Sequence, residues 1–310
     1  MALQWIFRGW VASAAKQKLY EAAEEAVRDH LKRKHAEGGA AEGDSFEPPS
    51  LLPPCDVGVV VGLTTELGGL VDRLQDVRSL EGKSISVRLG RLRGREVAVV
   101  ISGGGARKTA LATRALLAGH HPRIVIAAGF ADSLSSDVRR GDVVMGRTFV
   151  AGEARGRAEI AINLQASGAN DPDKTEHAPD PGDAATHVGR LLSLESPPRT
   201  TAARTRLGVQ FDALAVDRDA FDAARVCQQA GVPFYGVRVI RAGLDDEPSP
   251  EIGHLTRQTS LAGQAGAILG ALARRPSSIK EMWNLGESAL TASDRLAEFL
   301  EDMIAELPRR

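Results

Sequence analysis

An α/β fold, built on a mixed and mostly parallel sheet flanked by helices, is what these 310 residues predict. Three observations carry the prediction. Short unbroken apolar runs, the mark of strands covered on both faces, recur through the middle of the chain. Segments of helical period alternate with them. Glycines stand where the runs end, so the turns beyond the strands are free to approach a ligand. The length fits two domains, or one α/β domain with appended segments.

Residues 3–35 have helical spacing, with Tyr20, Ala23, Val27 and Leu31 on one face and the four-apart pairs Glu24/Arg28 and Asp29/Arg33 on the other. Tryptophans at Trp5 and Trp10 also suit a membrane surface or a partner, but packing on the same domain or on a second copy is the simpler reading. Residues 36–54 are rich in glycine, proline and acid, a linker composition. A domain over 55–275 follows.

Within it, Val57-Gly58-Val59-Val60-Val61 is a buried strand ending at Gly62, and a helix follows with Leu67, Leu70, Val71 and Leu74 on one side. Ile85, Val87 and Leu89 alternate with polar residues, and Arg93-Gly94 turns the chain into Val97–Ile101, a hairpin. Ser102-Gly103-Gly104-Gly105 opens a helix through Leu111, Ala115 and Leu116. The run Ile124–Ala128 ends at Gly129-Phe130, and Gly141–Met145 begins a further strand. Residues 165–187 read as a flexible excursion. Leu191–Leu194 resumes the order, a helix runs from about Asp219 to Ala230, and Pro233–Ile240 is a strand. Residues 255–273 form a small-residue helix. Ser278 and Glu281 make a capping box before a helical extension over 276–310, whose Leu296, Phe299, Leu300, Met303, Ile304 and Leu307 trace an amphipathic stripe.

Composition narrows the function. Hydrophobic residues at 43% and charged residues at 25% exclude collagen-like, coiled-coil and wholly disordered chains. With 39 basic and 40 acidic residues the net charge is −1, which gives no electrostatic footprint for nucleic acid. Aromatics at 4% are too scarce for a base-stacking platform. The two cysteines, Cys55 and Cys227, lie far apart, and neither they nor the seven histidines form a ligand motif, so no metal is expected. No apolar run approaches the roughly 20 residues needed to span a bilayer, and the N-terminus is a poor secretory signal. The expected location is the cytoplasm.

In α/β folds the chemistry sits at the carboxyl ends of the strands. Those ends nominate Gly62, Ser102–Gly105, Gly129-Phe130 and Ile240–Gly243. Backbone N–H groups of Gly103, Gly104 and Gly105 at a helix N-terminus suit a phosphate or a ribose, and Arg107 adds positive charge there, though a plain tight turn is the competing reading. The loop is neither a Walker sequence nor a dinucleotide fingerprint. Asp217-Arg218-Asp219 opens a helix, where acids also simply complement the dipole, and a carboxylate there could take a sugar diol. Asp245-Asp246-Glu247 is a solvated charge run or the source of an acid at the sheet edge.

In this order and spacing the segments resemble the nucleoside phosphorylase and nucleosidase superfamily, closest to its 5′-methylthioadenosine/S-adenosylhomocysteine nucleosidase branch. The resemblance rests on Val59–Glu66, Ser102–Gly105, Ala128–Leu134, Gly141–Val144, Ala215–Asp219, Gly231–Phe234 and Val237–Ala242, and covers roughly residues 56–273. It implies a single nucleoside-phosphorylase-like domain with extra N- and C-terminal helices, and cleavage of an N-glycosidic bond of a purine nucleoside or related N-glycoside. By position Asp219 is the ribose carboxylate, one methylene shorter than the family's Glu, and Arg218 replaces a nucleoside-packing Met. Ala242 falls where the family has the Asp that protonates the purine, leaving Asp245 as a substitute acid. The water-activating Glu aligns with Leu67, and Glu66 next door restores it after a one-residue slip. Phe130 either stacks on a base or fills the pocket. Arg238 is expected as a structural partner of Asp219 or Asp217.

Ser102, Gly103, Gly104, Gly105, Gly129, Phe130, Asp217, Arg218 and Asp219 are thus the expected substrate contacts, and Glu66 and Asp245 the catalytic candidates. Arg107 would hold phosphate if phosphate is the co-substrate; no other cofactor is implied. The alternative is a catalytically silent module binding a nucleoside or sugar phosphate in the same pocket. The expected partners are a small-molecule nucleoside and further copies of the chain.

Overall fold

The computed structural model describes residues 54–81, 85–152, 158–162, 184–247 and 277–307, with side chains in the final helix from 289 onward. The expected helix over 1–35, nearly all of the linker, most of the 165–187 excursion, the helix over 255–273 and the side chains of the Ser278/Glu281 box lie outside the described residues.

One mixed sheet holds the strands β1 (Val57–Val61), β2 (Gln75–Glu81), β3 (Ser86–Leu92), β4 (Arg95–Ile101), β5 (Ile124–Ser133), β6 (Val143–Ala151), β7 (Glu159–Ala161), β8 (Thr186–Ser193), β9 (Ala215–Asp217) and β10 (Phe234–Ala242). The helices are α1 (Gly68–Val71), α2 (Ala106–His120), α3 (Thr201–Phe211), α4 (Ala220–Ala230) and α5 (Ser277–Glu306). The apolar run of β1 is buried from end to end because β1 lies between β4 and β5, parallel to both, with helices on each face. Strand β5 is longer than β1. It pairs with β10 along one edge, and beyond β1 it pairs with β9 at Asp132 and Ser133. Because β10 also pairs with β6, β6 with β8 and β8 with β9, this half of the sheet closes on itself, while β1, β4, β3 and β2 trail from it as an open arm.

The two faces of β1 alternate into two cores. Val60 joins Val100, Val125, Leu116 of α2 and Ala224 of α4. Val59 and Val61 join Leu70 of α1 with Leu296, Leu300 and Ile304 of α5. The predicted C-terminal stripe is therefore buried in the domain core, and the buried guanidinium of Arg95 donates to the carbonyl of Leu307 at its end. Gly58 permits the close approach of α2: a Cβ there would stand 2.8 Å from Leu116 Cδ2.

The hairpin predicted around Arg93-Gly94 is the antiparallel pair β3–β4. The helix predicted after Gly62 is shorter than its apolar spacing suggested. A 3₁₀ turn at Thr64–Glu66 and the four residues of α1 replace it, since Gly68-Gly69 lower helix propensity. Leu67, Leu70 and Leu74 still face the core. Strand β2, polar and at the sheet edge, has no alternation to announce it, and α3 buries only Arg204 and Phe211.

Candidate active site

Strands β1, β4, β5 and β10 run in one direction, so their carboxyl ends share an edge of the sheet. Glu66 is drawn to that edge by local geometry. The 3₁₀ turn folds its carboxylate back over the end of β1, where Oε2 accepts N–H bonds from Gly62 at 2.9 Å and Leu63 at 2.8 Å. Its Oε1 accepts the Phe130 N–H of β5 at 3.1 Å. Leu67, the residue that direct alignment puts in the Glu position, points into the core at 3% exposure; Glu66 supplies the carboxylate at this edge. Space for it is made by two glycines. A Cβ on Gly129 would stand 3.0 Å from Oε1, and one on Gly62 would stand 3.1 Å from Oε2 and 3.7 Å from Asp219 Oδ2. Burial pushes the Glu66 carboxyl above its ordinary value, and Asp219 adds to the rise, against the opposing pull of the N–H bonds and Arg238.

Asp219 is reached through a second network. Its Oδ2 accepts the Gly105 N–H at 3.1 Å and the Thr109 hydroxyl at 2.8 Å, and its Oδ1 takes Arg238 Nη2 at 3.3 Å. Arg238 is fully enclosed and also pairs with Asp217, Nε to Oδ2 at 2.8 Å, while Nη1 donates to the Ala127 and Val237 carbonyls. Asp217 further accepts the Ser193 hydroxyl and the Ala220 N–H. It is thus Asp217 that satisfies the start of α4; Asp219, the N-cap residue, makes no capping bond and reaches across to α2 instead. Burial raises the Asp217 carboxyl, with Asp219 adding to it and Arg238 opposing. Burial disfavours the Arg238 charge, yet Asp217, Asp219 and Glu66 together raise its pKa. Asp217 and Asp219 pair directly with one guanidinium, and the Glu66 carboxyl lies near enough to act on its charge.

The glycine loop differs from an open anion cradle. Gly103, Gly104 and Gly105 all have positive φ, at 80°, 70° and 88°, but two of their N–H groups are engaged within the fold. Gly104 donates to the Ser102 hydroxyl, itself bonded to Thr109, and Gly105 donates to Asp219. Arg107 is exposed and lines a cavity of about 460 Å³ with Lys108, Glu195, Phe221, Asp222 and Arg225, whose walls share Gly104 and Gly105 with the site but not Glu66, Phe130 or Asp219.

The expected residues Glu66, Ser102, Gly103, Gly104, Gly105, Gly129, Phe130, Asp217 and Asp219 are therefore gathered at one edge, and Arg238 holds both aspartates. Arg218 is exposed beside them. Asp245 is exposed in the turn after β10, and none of its contacts among the described residues involves Glu66 or Asp219. Its neighbours anchor that turn: Asp246 accepts from Arg140 and Gly243, Glu247 accepts the Thr201 N–H, and buried Arg204 donates to the carbonyls of Gly243 and Asp246. Thr109 and Ser193 escape sequence reasoning, since hydroxyls that brace a carboxylate carry no spacing signal. Arg241, whose pair with Asp132 lies at the same edge, falls within the nominated end Ile240–Gly243, but no motif singles it out. Among the described residues no cluster of three or more His, Cys, Asp or Glu could hold a metal, and no helix is long and apolar enough to cross a membrane. Cys55 and Cys227 are buried free thiols, each pushed up by burial to about 12.

This fold and site define a nucleoside-phosphorylase-like protein, and the chain belongs to the phosphorylase superfamily, whose family model matches residues 56–274. Among its relatives is the 5′-methylthioadenosine/S-adenosylhomocysteine nucleosidase of Staphylococcus epidermidis, 25% identical over 194 residues, which are 59% of this chain and 85% of that one. The Neisseria meningitidis nucleosidase of the same name, solved with methylthio-immucillin-A, superposes with a TM-score of 0.60 at 20% identity, covering 81% of this chain and 99% of that one. A futalosine hydrolase mutant from Helicobacter pylori gives 0.59 at 15% identity, covering 83% and 100%.

Proposed function

We propose that the protein hydrolyses the N-glycosidic bond of a purine nucleoside or a related N-glycoside. The observation that carries this reading is the meeting of Glu66 and Asp219 at one strand edge, either side of Gly62. Relatives named as nucleosidases support the same reaction class, and none of the comparisons supports a silent binding module.

Three tasks must be met: a positioned nucleophile, support for the oxocarbenium-like sugar, and departure of the base. Glu66, with its carboxyl raised by burial, is the base that takes a proton from water as oxygen attacks C1′. Asp219 Oδ1, whose one partner among the described residues is Arg238 at 3.3 Å, is the oxygen that accepts a ribose hydroxyl. The Asp219 carboxylate, set against the sugar it holds, stabilises the cationic sugar electrostatically. Phe130, half-buried on β5, offers a ring on which the base stacks. Water rather than phosphate is the nucleophile in this reading, because Arg107 lines a different cavity.

Release of free base from methylthioadenosine, adenosylhomocysteine, inosine and adenosine, with and without phosphate, tests the proposal. Phosphate-independent release is expected from at least one of them, and Glu66→Gln should lower its rate by about 10²–10⁴. No release from any nucleoside, or an undiminished Glu66→Gln rate, would overturn it.

A further inference from the structure

The end of β10 departs from regular pairing with β5. Ile240 lies opposite Ala131 and Ala242 opposite Asp132, so Arg241 is the extra residue of a β-bulge. A bulge re-aims the side chain it carries, and such irregularities recur beside active sites. The Arg241 guanidinium grips Asp132 as a fork, Nε to Oδ1 at 2.9 Å and Nη2 to Oδ2 at 3.4 Å. Asp132 is 15% exposed and held, whereas Arg241 remains 55% exposed at the open edge. Glu66 lies close enough to favour the Arg241 charge. Phe130 precedes Asp132 by two residues, so both side chains stand on the same face of β5.

Asp132 engages Nε and Nη2, and among the described residues Nη1 has no partner, which leaves it for a ligand. A guanidinium donates only, so it selects for acceptors. The edge of a 6-oxopurine presents two, O6 and N7, whereas adenine sets an amino donor beside N7. Taking N-glycoside cleavage as the function of the site, on which the following depends, we propose that Arg241, aimed by the bulge and braced by Asp132, determines leaving-group specificity in favour of 6-oxopurine nucleosides. The bond from water oxygen to C1′ forms as the C1′–N9 bond breaks. N9 keeps the electron pair, Glu66 takes the water proton, and the base leaves as an anion facing Arg241. Glu66 then returns its proton to the base through solvent. This arrangement serves a site in which the Ala242 side chain has no proton to donate.

Two measurements test the assignment. In the first, kcat/KM for inosine and adenosine is compared between the wild type and Arg241→Met. The wild type should prefer inosine, and the variant should lose about ten- to a hundredfold on inosine while adenosine changes little. No wild-type preference, or an equal loss on both substrates, would overturn it. In the second, calorimetry measures free hypoxanthine and adenine binding to both proteins, which needs no turnover. Tighter hypoxanthine binding that disappears in Arg241→Met supports the assignment even if no nucleoside is cleaved, an outcome that would defeat only the hydrolase reading. Equal binding of the two bases by the wild type would defeat the assignment itself.

Discussion

Glu66 is a buried carboxylate that accepts three backbone N–H groups, and its behaviour follows from the balance between them and burial. A base must be deprotonated to act, so kcat/KM should fall on the acid side with a midpoint above the usual Glu range of about 4.3. A pH–rate profile whose acid limb lies at or below that range would contradict the role. The linkage sign is opposite to that of a salt-bridged acid. With the folded-state pKa raised, the folded protein binds the proton more tightly, so Glu66 favours folding below its unfolded pKa, and that contribution is lost as pH rises through the folded value. Gly129→Ala places a methyl within 3.0 Å of Oε1 and, with the backbone free to keep its shape, should displace the carboxylate. Activity should fall at least tenfold with an unchanged circular dichroism spectrum; full activity would show that the carboxylate tolerates the shift. In the sequence, Glu66 was visible only as a neighbour of the aligned position. Which of two adjacent residues faces the site depends on a 3₁₀ turn whose phase no apolar pattern records.

Among the elements, β9, α4 and β10 are joined by the Asp217–Arg238–Asp219 cluster. Breaking a buried ion pair from one side costs about 3–5 kcal/mol, because the remaining charge is left without its partner. Arg238→Met should therefore destabilise the domain by that order in denaturant unfolding, with Asp217→Asn in the same direction and smaller. Stability within about 1 kcal/mol of wild type would mean that the cluster is not retained in solution. The acids of Ala215–Asp219 were legible as a helix start, but their division of labour was not. Asp217 serves α4 and Asp219 reaches α2, a choice made by the long-range position of Thr109 and Gly105. Buried strands were legible for the opposite reason, since Val57–Val61 and Ile124–Ala128 must be apolar on both faces. Strand β2 was not, because an edge strand needs only one partner and leaves Val77 and Leu80 partly exposed.

At the scale of the molecule, the C-terminal helix is part of the scaffold that positions the site. Its stripe packs with Leu67 and Leu70, the residues that follow Glu66, so the edge of β1 is backed by α5. Leu300→Ala should cost about 2–5 kcal/mol and lower the melting temperature accordingly. A loss below about 1 kcal/mol would show that α5 contributes little to that core. The order of motifs in the sequence was enough to place the chain in its superfamily, whereas the closure of β5, β10, β6, β8 and β9 into a ring depends on strand pairings that local patterns do not encode. The central claim is that this edge directs water, through Glu66, at the anomeric carbon of an N-glycoside. Turnover of a cleaved nucleoside in heavy-oxygen water, with phosphate present, tests it most directly. The account predicts one heavy oxygen on C1 of the released sugar and no sugar phosphate; a sugar 1-phosphate without the label, or an intact nucleoside, would contradict it.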